Sequence, residues 1–269
     1  FERGQPLHAF DSDALAGAAI LVRRAHDGET MTTLDEKERV LRATDLLICD
    51  GKNRPVALAG IMGGLGSAVG EKTTNVLIES AFFDPLSVRR TARRLGLASE
   101  SSHRFERHVD PNGVAEASAR AARLLAQLGG GQVARGLIDV YPRPVQARVV
   151  PLRPARVHGL LGVAFAPADM KRALTSLGLS VQEIAGEFQV TCPTFRPDLE
   201  REVDLVEEVG RSLGLDKIPA TLPPLPSPLP VGEHTVDDTV RDALMATGLC
   251  ETVTYAFTSR ERIAALRFQ

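Results

Sequence analysis

The sequence predicts an α+β, multidomain chain: a mixed-sheet unit, then a small helical, winged-helix-like unit, then the start of a third. Three observations predict it. The 269 residues exceed the roughly 100–150 of a common single domain. Short apolar runs alternate with helices announced by capping residues. Residues 219–230 hold six prolines in twelve positions, too few backbone donors for a sheet, and so read as a semi-rigid linker.

In order, Ile20-Leu21-Val22, Leu46-Leu47-Ile48-Cys49 and Val76-Leu77-Ile78 read as buried strands. A turn is expected at Gly60-Ile61-Met62-Gly63-Gly64-Leu65-Gly66. Asp84-Pro85 and Asp110-Pro111 each place a capping acid before a proline and predict two helices, the second ending at Gly129-Gly130-Gly131. Leu137-Ile138-Asp139-Val140 reads as a strand, closed by Pro142 and Pro144. A helix from Pro167 to Gly178 carries Met170, Ala173, Leu174 and Leu177 on one face. Strands around Val181 and Gln189-Val190-Thr191 lead to a helix from about Leu199 to Leu213. Beyond the linker, Val236 to Thr247 reads as a helix and Glu251 to Phe257 as a strand. The expected divisions are 1–144, 148–222 and 231–269, and no solenoid repeat is present.

Apolar residues at 43% and charged residues at 25% exclude a disordered tail, a fibre and a disulfide scaffold. No apolar run approaches the about 18 residues of a membrane span, so no membrane partner is expected. Cys49, Cys192 and Cys250 lie far apart and read as reduced thiols of a cytoplasmic protein. Thirty-two basic and 34 acidic residues nearly cancel, so any nucleic-acid contact must come from a local patch. The chain reads as a piece of something longer.

Four groups of residues are candidates for chemistry. Asp198, Asp204, Glu207 and Glu208 form the sharpest group, because positions 204, 207 and 208 share a helix face. Such a face suits a hard divalent cation such as magnesium, although an acidic, solvated helix start is the commoner arrangement on spacing alone. The glycine segment 60–66 lacks the ending of a nucleotide-binding loop and reads first as a tight turn. Arg89, Arg90, Arg93 and Arg94, followed by His103, Arg104 and Arg107, make a basic stripe open to phosphates or to local acids. Singly, Glu79 ends an apolar strand, where a buried carboxylate needs a partner or a ligand. His8 follows the turn-like Gln5-Pro6-Leu7, and Ser99, Ser101 and Ser102 lack the surroundings of a hydrolase nucleophile.

Several stretches together resemble the β subunit of bacterial phenylalanyl-tRNA synthetases. They are Gly4-Gln5-Pro6-Leu7-His8-Ala9-Phe10-Asp11, Ala59-Gly60-Ile61-Met62-Gly63-Gly64 and Ser102-His103-Arg104-Phe105-Glu106-Arg107. Phe195-Arg196-Pro197-Asp198 and Asp204-Leu205-Val206-Glu207-Glu208-Val209 complete the set, in the family's order. The resemblance implies a B3/B4 editing domain over 1–144, a B5 domain over 148–222 and the start of a catalytic-like domain over 231–269. It implies magnesium at Asp198, Asp204, Glu207 and Glu208, shared with an α subunit in an α2β2 heterotetramer that uses ATP. It also implies hydrolysis of tyrosine mischarged on the phenylalanine tRNA, with Glu79 recognising the tyrosine hydroxyl. His8, Gly60, Gly63, Gly64, Ser99 and Ser101 then lie in or near that pocket.

The physical case for such a pocket is that an apolar site rejects an added hydroxyl only about a hundredfold, whereas an ionised Glu79 accepts a hydrogen bond from it. No protein general base stands out, which leaves a positioned water assisted by the tRNA's terminal ribose. Ser99, Ser101 and His108 stand where the family pattern expects Thr, Ala and Gly. The rival reading is a non-catalytic nucleic-acid-binding and assembly module.

Overall fold

The structure is a computed structural model that describes residues 2–222, 232 and 234–267. It divides into two compact units, 1–219 and 220–269.

The first unit begins with β1 (Leu7–Asp11), β2 (Ile20–Arg24), β3 (Thr30–Thr32), β4 (Glu38–Val40), β5 (Leu46–Asp50), β6 (Pro55–Leu58), β7 (Met62–Gly63) and β8 (Val76–Ser80). Strands β2, β5, β6 and β7 form one sheet in that order, while β1 pairs with β8 and β3 with β4. Every pairing is antiparallel, so the α+β class holds but antiparallel ribbons replace the expected mixed sheet. Leu47, Ile48 and Cys49 are buried in succession because β5 lies between two neighbours and is covered on both faces.

Three helices follow: α1 (Pro85–Leu95), α2 (Glu100–Phe105) and α3 (Val114–Gly129). The Asp84 carboxylate caps α1 by accepting from the Ser87 amide at 2.7 Å, as the Asp-Pro pair predicts. The second Asp-Pro pair behaves differently. Asp110 organises a turn before the helix, accepting from the Asn112 amide at 3.0 Å and the Thr194 hydroxyl at 2.5 Å. The helix therefore starts at Val114 rather than at Pro111.

Next come β9 (Arg148–Leu152), α4 (Pro154–Leu161), α5 (Pro167–Ser176), β10 (Ser180–Ile184), β11 (Glu187–Cys192) and α6 (Glu202–Leu213). The three strands form an antiparallel sheet in the order β10-β11-β9. Its core is separate from the first: Leu152, Val157, Met170, Leu174, Phe188 and Leu205 pack together, while Phe10, Leu47, Ile48, Leu58, Phe83 and Phe105 belong to the earlier cluster. Cys49 and Cys192 are buried free thiols, and Cys250 is exposed and free.

The expected strand at 137–140 does not form; Ile138 is 94% exposed. An apolar run suits a strand only when a neighbour supplies the ladder, and none of the described strands does so here. The second unit contains α7 (Val236–Ala246) and α8 (Arg260–Ala265). Residues 251–257, expected as a strand, are exposed and unpaired among the described residues for the same reason. Most of the proline-rich linker, residues 223–230, lies outside the described residues. No helix among the described residues is long and apolar enough to cross a membrane.

Candidate functional site

The ribbon of β1 and β8 sets the first part of the site. His8 and Glu79 are direct partners across it. Directly opposed residues of an antiparallel pair project from the same face, with Cβ atoms about 4.5–5.5 Å apart. The Gln5 side chain anchors the entry to β1 by donating to the Ala81 carbonyl at 2.7 Å, just past the end of β8.

Glu79 is half-buried, and burial alone pushes its carboxyl up to about 7. No hydrogen bond or ion pair with a described residue offsets that burial. The His8 imidazole, also desolvated, is held below its usual value, so the ring is neutral at pH 7. Its edge meets Phe10, with ring centroids 4.6 Å apart. The Nε2 atom of His8 is buried without a hydrogen-bond partner, an arrangement a folded chain rarely leaves unless a ligand or water completes it.

Gly63 lies against this imidazole: a β-carbon there would collide with the His8 ring. The glycine is needed for space. Gly64 donates its amide to the Val56 carbonyl at 2.8 Å. At the other end of the segment, Gly60 turns with φ +70°, and a β-carbon would stand 2.8 Å from Phe83 Cδ2. The Gly60 and Ile61 carbonyls are fastened to the start of α2. Ser101 donates its hydroxyl to Gly60 O at 3.1 Å, and Ser99 donates its own to Ile61 O at 2.7 Å. Ser99 also caps α2 through reciprocal 3.0 Å bonds with Ser102.

His8 thus faces Glu79 across the ribbon and touches Gly63 of β7, while Gly60, Ser99 and Ser101 meet at the helix start. One glycine segment joins the two. Outside that helix start lies an open groove of about 630 Å³, lined by Gly4, Ser99, His103, Arg104, Arg107 and His108 among others. Its wall includes His108 with φ +72°, the left-handed region that L side chains rarely adopt.

The acidic group on α6 is arranged otherwise. Arg196 Nη2 donates to Asp198 Oδ2 at 2.6 Å and to Glu208 Oε1 at 2.7 Å, and the other Glu208 oxygen accepts from Arg211 at 2.5 Å. Asp204 is spent on capping its own helix, accepting from the Arg201 and Glu200 amides at 2.7 and 3.0 Å. Glu207 is exposed. The Arg196 hydrogen bonds hold Asp198 below the usual carboxylate range. Burial works against the Glu208 charge, but Arg196 and Arg211 outweigh it and lower that group as well. Burial is likewise outweighed at Asp204 by the two backbone amides.

No group of three or more potential ligands among the described residues is placed to hold a metal ion. With the oxygens of Asp198, Asp204 and Glu208 committed to guanidinium groups and amides, and Glu207 alone left exposed, this group does not fit magnesium as it stands. Arg196, with no role in the sequence reading, is the residue that decides this; its signal was an arginine two positions from Asp198 within the Phe195-Arg196-Pro197-Asp198 stretch.

Comparison with known proteins places the two cores in named families. The B3/4 domain family matches residues 1–130 and the tRNA synthetase B5 domain family matches residues 150–215. A phenylalanine–tRNA ligase beta subunit of Geobacter sulfurreducens is 50% identical over 95% of this chain, and one of Moorella thermoacetica is 50% identical over 99%. The chain belongs to the phenylalanine–tRNA ligase β-subunit family. It spans about a third of the length of these relatives, 32% and 33% respectively. An N-terminal fragment of the phenylalanyl-tRNA synthetase beta subunit from Pyrococcus horikoshii also matches, at 15% identity and TM-score 0.42 over 79% of this chain and 61% of that one. That likeness is too distant to carry weight. Among phenylalanine–tRNA ligase β subunits, then, this chain joins a B3/4 core bearing a carboxylate, Glu79, unpaired among the described residues, to a B5 core whose Asp198 and Glu208 are paired with arginines.

Proposed function

We propose that this chain is the part of a phenylalanine–tRNA ligase β subunit that hydrolyses tyrosine wrongly attached to the phenylalanine tRNA. One observation carries the reading: Glu79 is a desolvated carboxylate without a partner among the described residues, facing a histidine whose buried nitrogen is likewise unpartnered among them.

A phenol hydroxyl donating to the ionised Glu79 forms a charge-assisted hydrogen bond that phenylalanine cannot form. Because Glu79 titrates near 7 in the free protein, the bound phenol also favours the ionised form and draws its proton off. Selection for tyrosine therefore strengthens as pH rises through about 7. The neutral His8 leaves Nε2 for a second polar contact. Ser99 and Ser101 hold the Gly60 turn and add no loose hydroxyl to a pocket wall. In the hydrolysis, water adds to the aminoacyl carbonyl and the ester C–O bond breaks. The terminal ribose oxygen leaves with a proton, releasing tyrosine and intact tRNA.

On this reading residues 1–144 are the editing domain, 148–222 the B5 domain and 231–269 the start of a catalytic-like domain. Aminoacylation, with its ATP and magnesium, falls to an α subunit in an α2β2 cytoplasmic assembly, and this chain helps to position the tRNA. The test replaces Glu79 by Ala in the full-length subunit with its α partner and measures hydrolysis of tyrosyl-tRNA. Loss of the preference for the tyrosyl ester is expected. Unchanged hydrolysis sinks the reading, and RNA binding without any hydrolysis by the unmodified protein favours a purely assembling module.

A further inference from the structure

The buried residues of the B3/4 and B5 cores form separate clusters, and among the described residues no strand of one core pairs with a strand of the other. A side-chain hydrogen bond crosses between them. Thr194, in the loop between β11 and α6, donates its hydroxyl to Asp110 Oδ1 at 2.5 Å, across 84 positions of chain. The same oxygen accepts from the Asn112 amide at 3.0 Å; a carboxylate oxygen has lone pairs for both. The bond from the B5 core therefore lands on the atom that shapes the turn before α3.

Two further contacts converge on that turn. The connection between the cores is exposed throughout residues 129–149, and Asn112 pins it. The Asn112 side chain donates to the Val145 carbonyl at 3.2 Å and accepts from the Tyr141 hydroxyl at 2.9 Å, whose oxygen accepts from the Val145 amide at 2.8 Å. On the other side, Ser80 donates its hydroxyl to the carbonyl of Val114, the first residue of α3, at 2.8 Å. Ser80 follows Glu79 on β8. Successive side chains of a strand point to opposite faces, so Ser80 fastens β8 to α3 from behind while Glu79 and His8 share the other face. Thr194 in turn lies two residues before Arg196, which holds Asp198 and Glu208. One chain of bonds thus runs from the acidic group of the B5 core to the strand that carries Glu79.

We propose that Asp110 and Thr194 are positioning residues for Glu79: their bond seats the start of α3, and α3, through Ser80, holds the end of β8 that presents the carboxylate. The B5 core therefore bears on the ribbon site. The proposal rests on the editing reading for its consequence, and one arm of its test does not.

The variants are made in the full-length subunit with its α partner. Thr194→Val removes the donor at nearly constant size, Thr194→Ser keeps it, and Ser80→Ala cuts the second link. Amide hydrogen exchange over residues 76–81 is expected to speed about fivefold in Thr194→Val, the worth of one ordinary hydrogen bond, and to keep its native rate in Thr194→Ser. Unchanged exchange in Thr194→Val overturns the proposal. So does equal speeding across the β10-β11-β9 sheet, which marks a general loosening of the B5 core.

In hydrolysis assays, the preference for the tyrosyl over the phenylalanyl ester falls by a similar factor in Thr194→Val and returns in Thr194→Ser, while hydrolysis of the phenylalanyl ester is unchanged. Ser80→Ala has the same effect, and adding Thr194→Val to it changes little further, because both cut one relay. Full additivity of the two overturns the relay. If the unmodified assembly hydrolyses neither ester, the editing reading fails and the exchange result alone decides the proposal.

Discussion

The β1–β8 ribbon and the acidic turn of α6 place the same functional group in opposite circumstances. On the ribbon, Glu79 is desolvated with no partner among the described residues, and its carboxyl rises to about 7. On α6, Glu208 is buried as well, yet Arg196 and Arg211 keep it below its ordinary value. Burial alone does not say whether an acid is poised for a ligand; the availability of a counter-charge does. The ribbon holds an unmet demand for a hydrogen-bond donor. The helix has met its demand internally.

The strongest way to break this comparison is to remove the internal cation. Arg196→Met leaves Glu208, whose side chain is 8% exposed, with Arg211 as its one remaining partner among the described residues, and costs about 2–3 kcal/mol in denaturant unfolding. The same variant gains a saturable site for manganese, measured by paramagnetic broadening, that the unmodified protein lacks. A tight site in the unmodified protein would show instead that Arg196 yields its place readily.

Next in size is Glu79→Gln, and here the pH matters. A carboxyl raised by folding disfavours the folded state once it ionises, so stability from this group falls as pH rises from about 4.5 through 7. Removing the charge therefore stabilises the protein at pH 8 by about 1–3 kcal/mol and has little effect at pH 4. The lowered α6 acids run the other way: their contribution is present above the ordinary carboxylate range and is lost as pH falls through their folded values. Chemical denaturation at pH 3, 5 and 8 separates the two behaviours.

Ser101→Ala removes the hydroxyl that holds Gly60 O and costs about 1 kcal/mol. It brings the residue the family pattern expects at that position, so tyrosyl-ester hydrolysis should persist. The smallest effect belongs to Glu207→Gln. This acid is exposed and outside the Arg196 network, so stability should move by no more than about 0.5 kcal/mol.

Much of this was legible in the chain itself. The strand at 46–49, the Asp84-Pro85 helix start, the helix through Met170 and Leu174 and the tight turn at Gly60 all follow from local chemistry: apolar runs, caps and a residue tolerant of positive φ. The same sequence stretches carried the family resemblance, because residues forced by close packing, such as Gly63 against His8, leave a recognisable pattern.

Tertiary contacts decided the rest. Leu137–Val140 and residues 251–257 have strand composition but lack a described neighbour, and Asp110 spends its cap on a turn and on Thr194. Sequence alone placed four acids at ligand spacing. Only the fold brought Arg196 between Asp198 and Glu208 while leaving Glu79 without a cation. The reason is one of range: caps, turns and helical spacing act over a few residues and are written in the local sequence, whereas the charge beside a buried carboxylate depends on which distant segment packs against it.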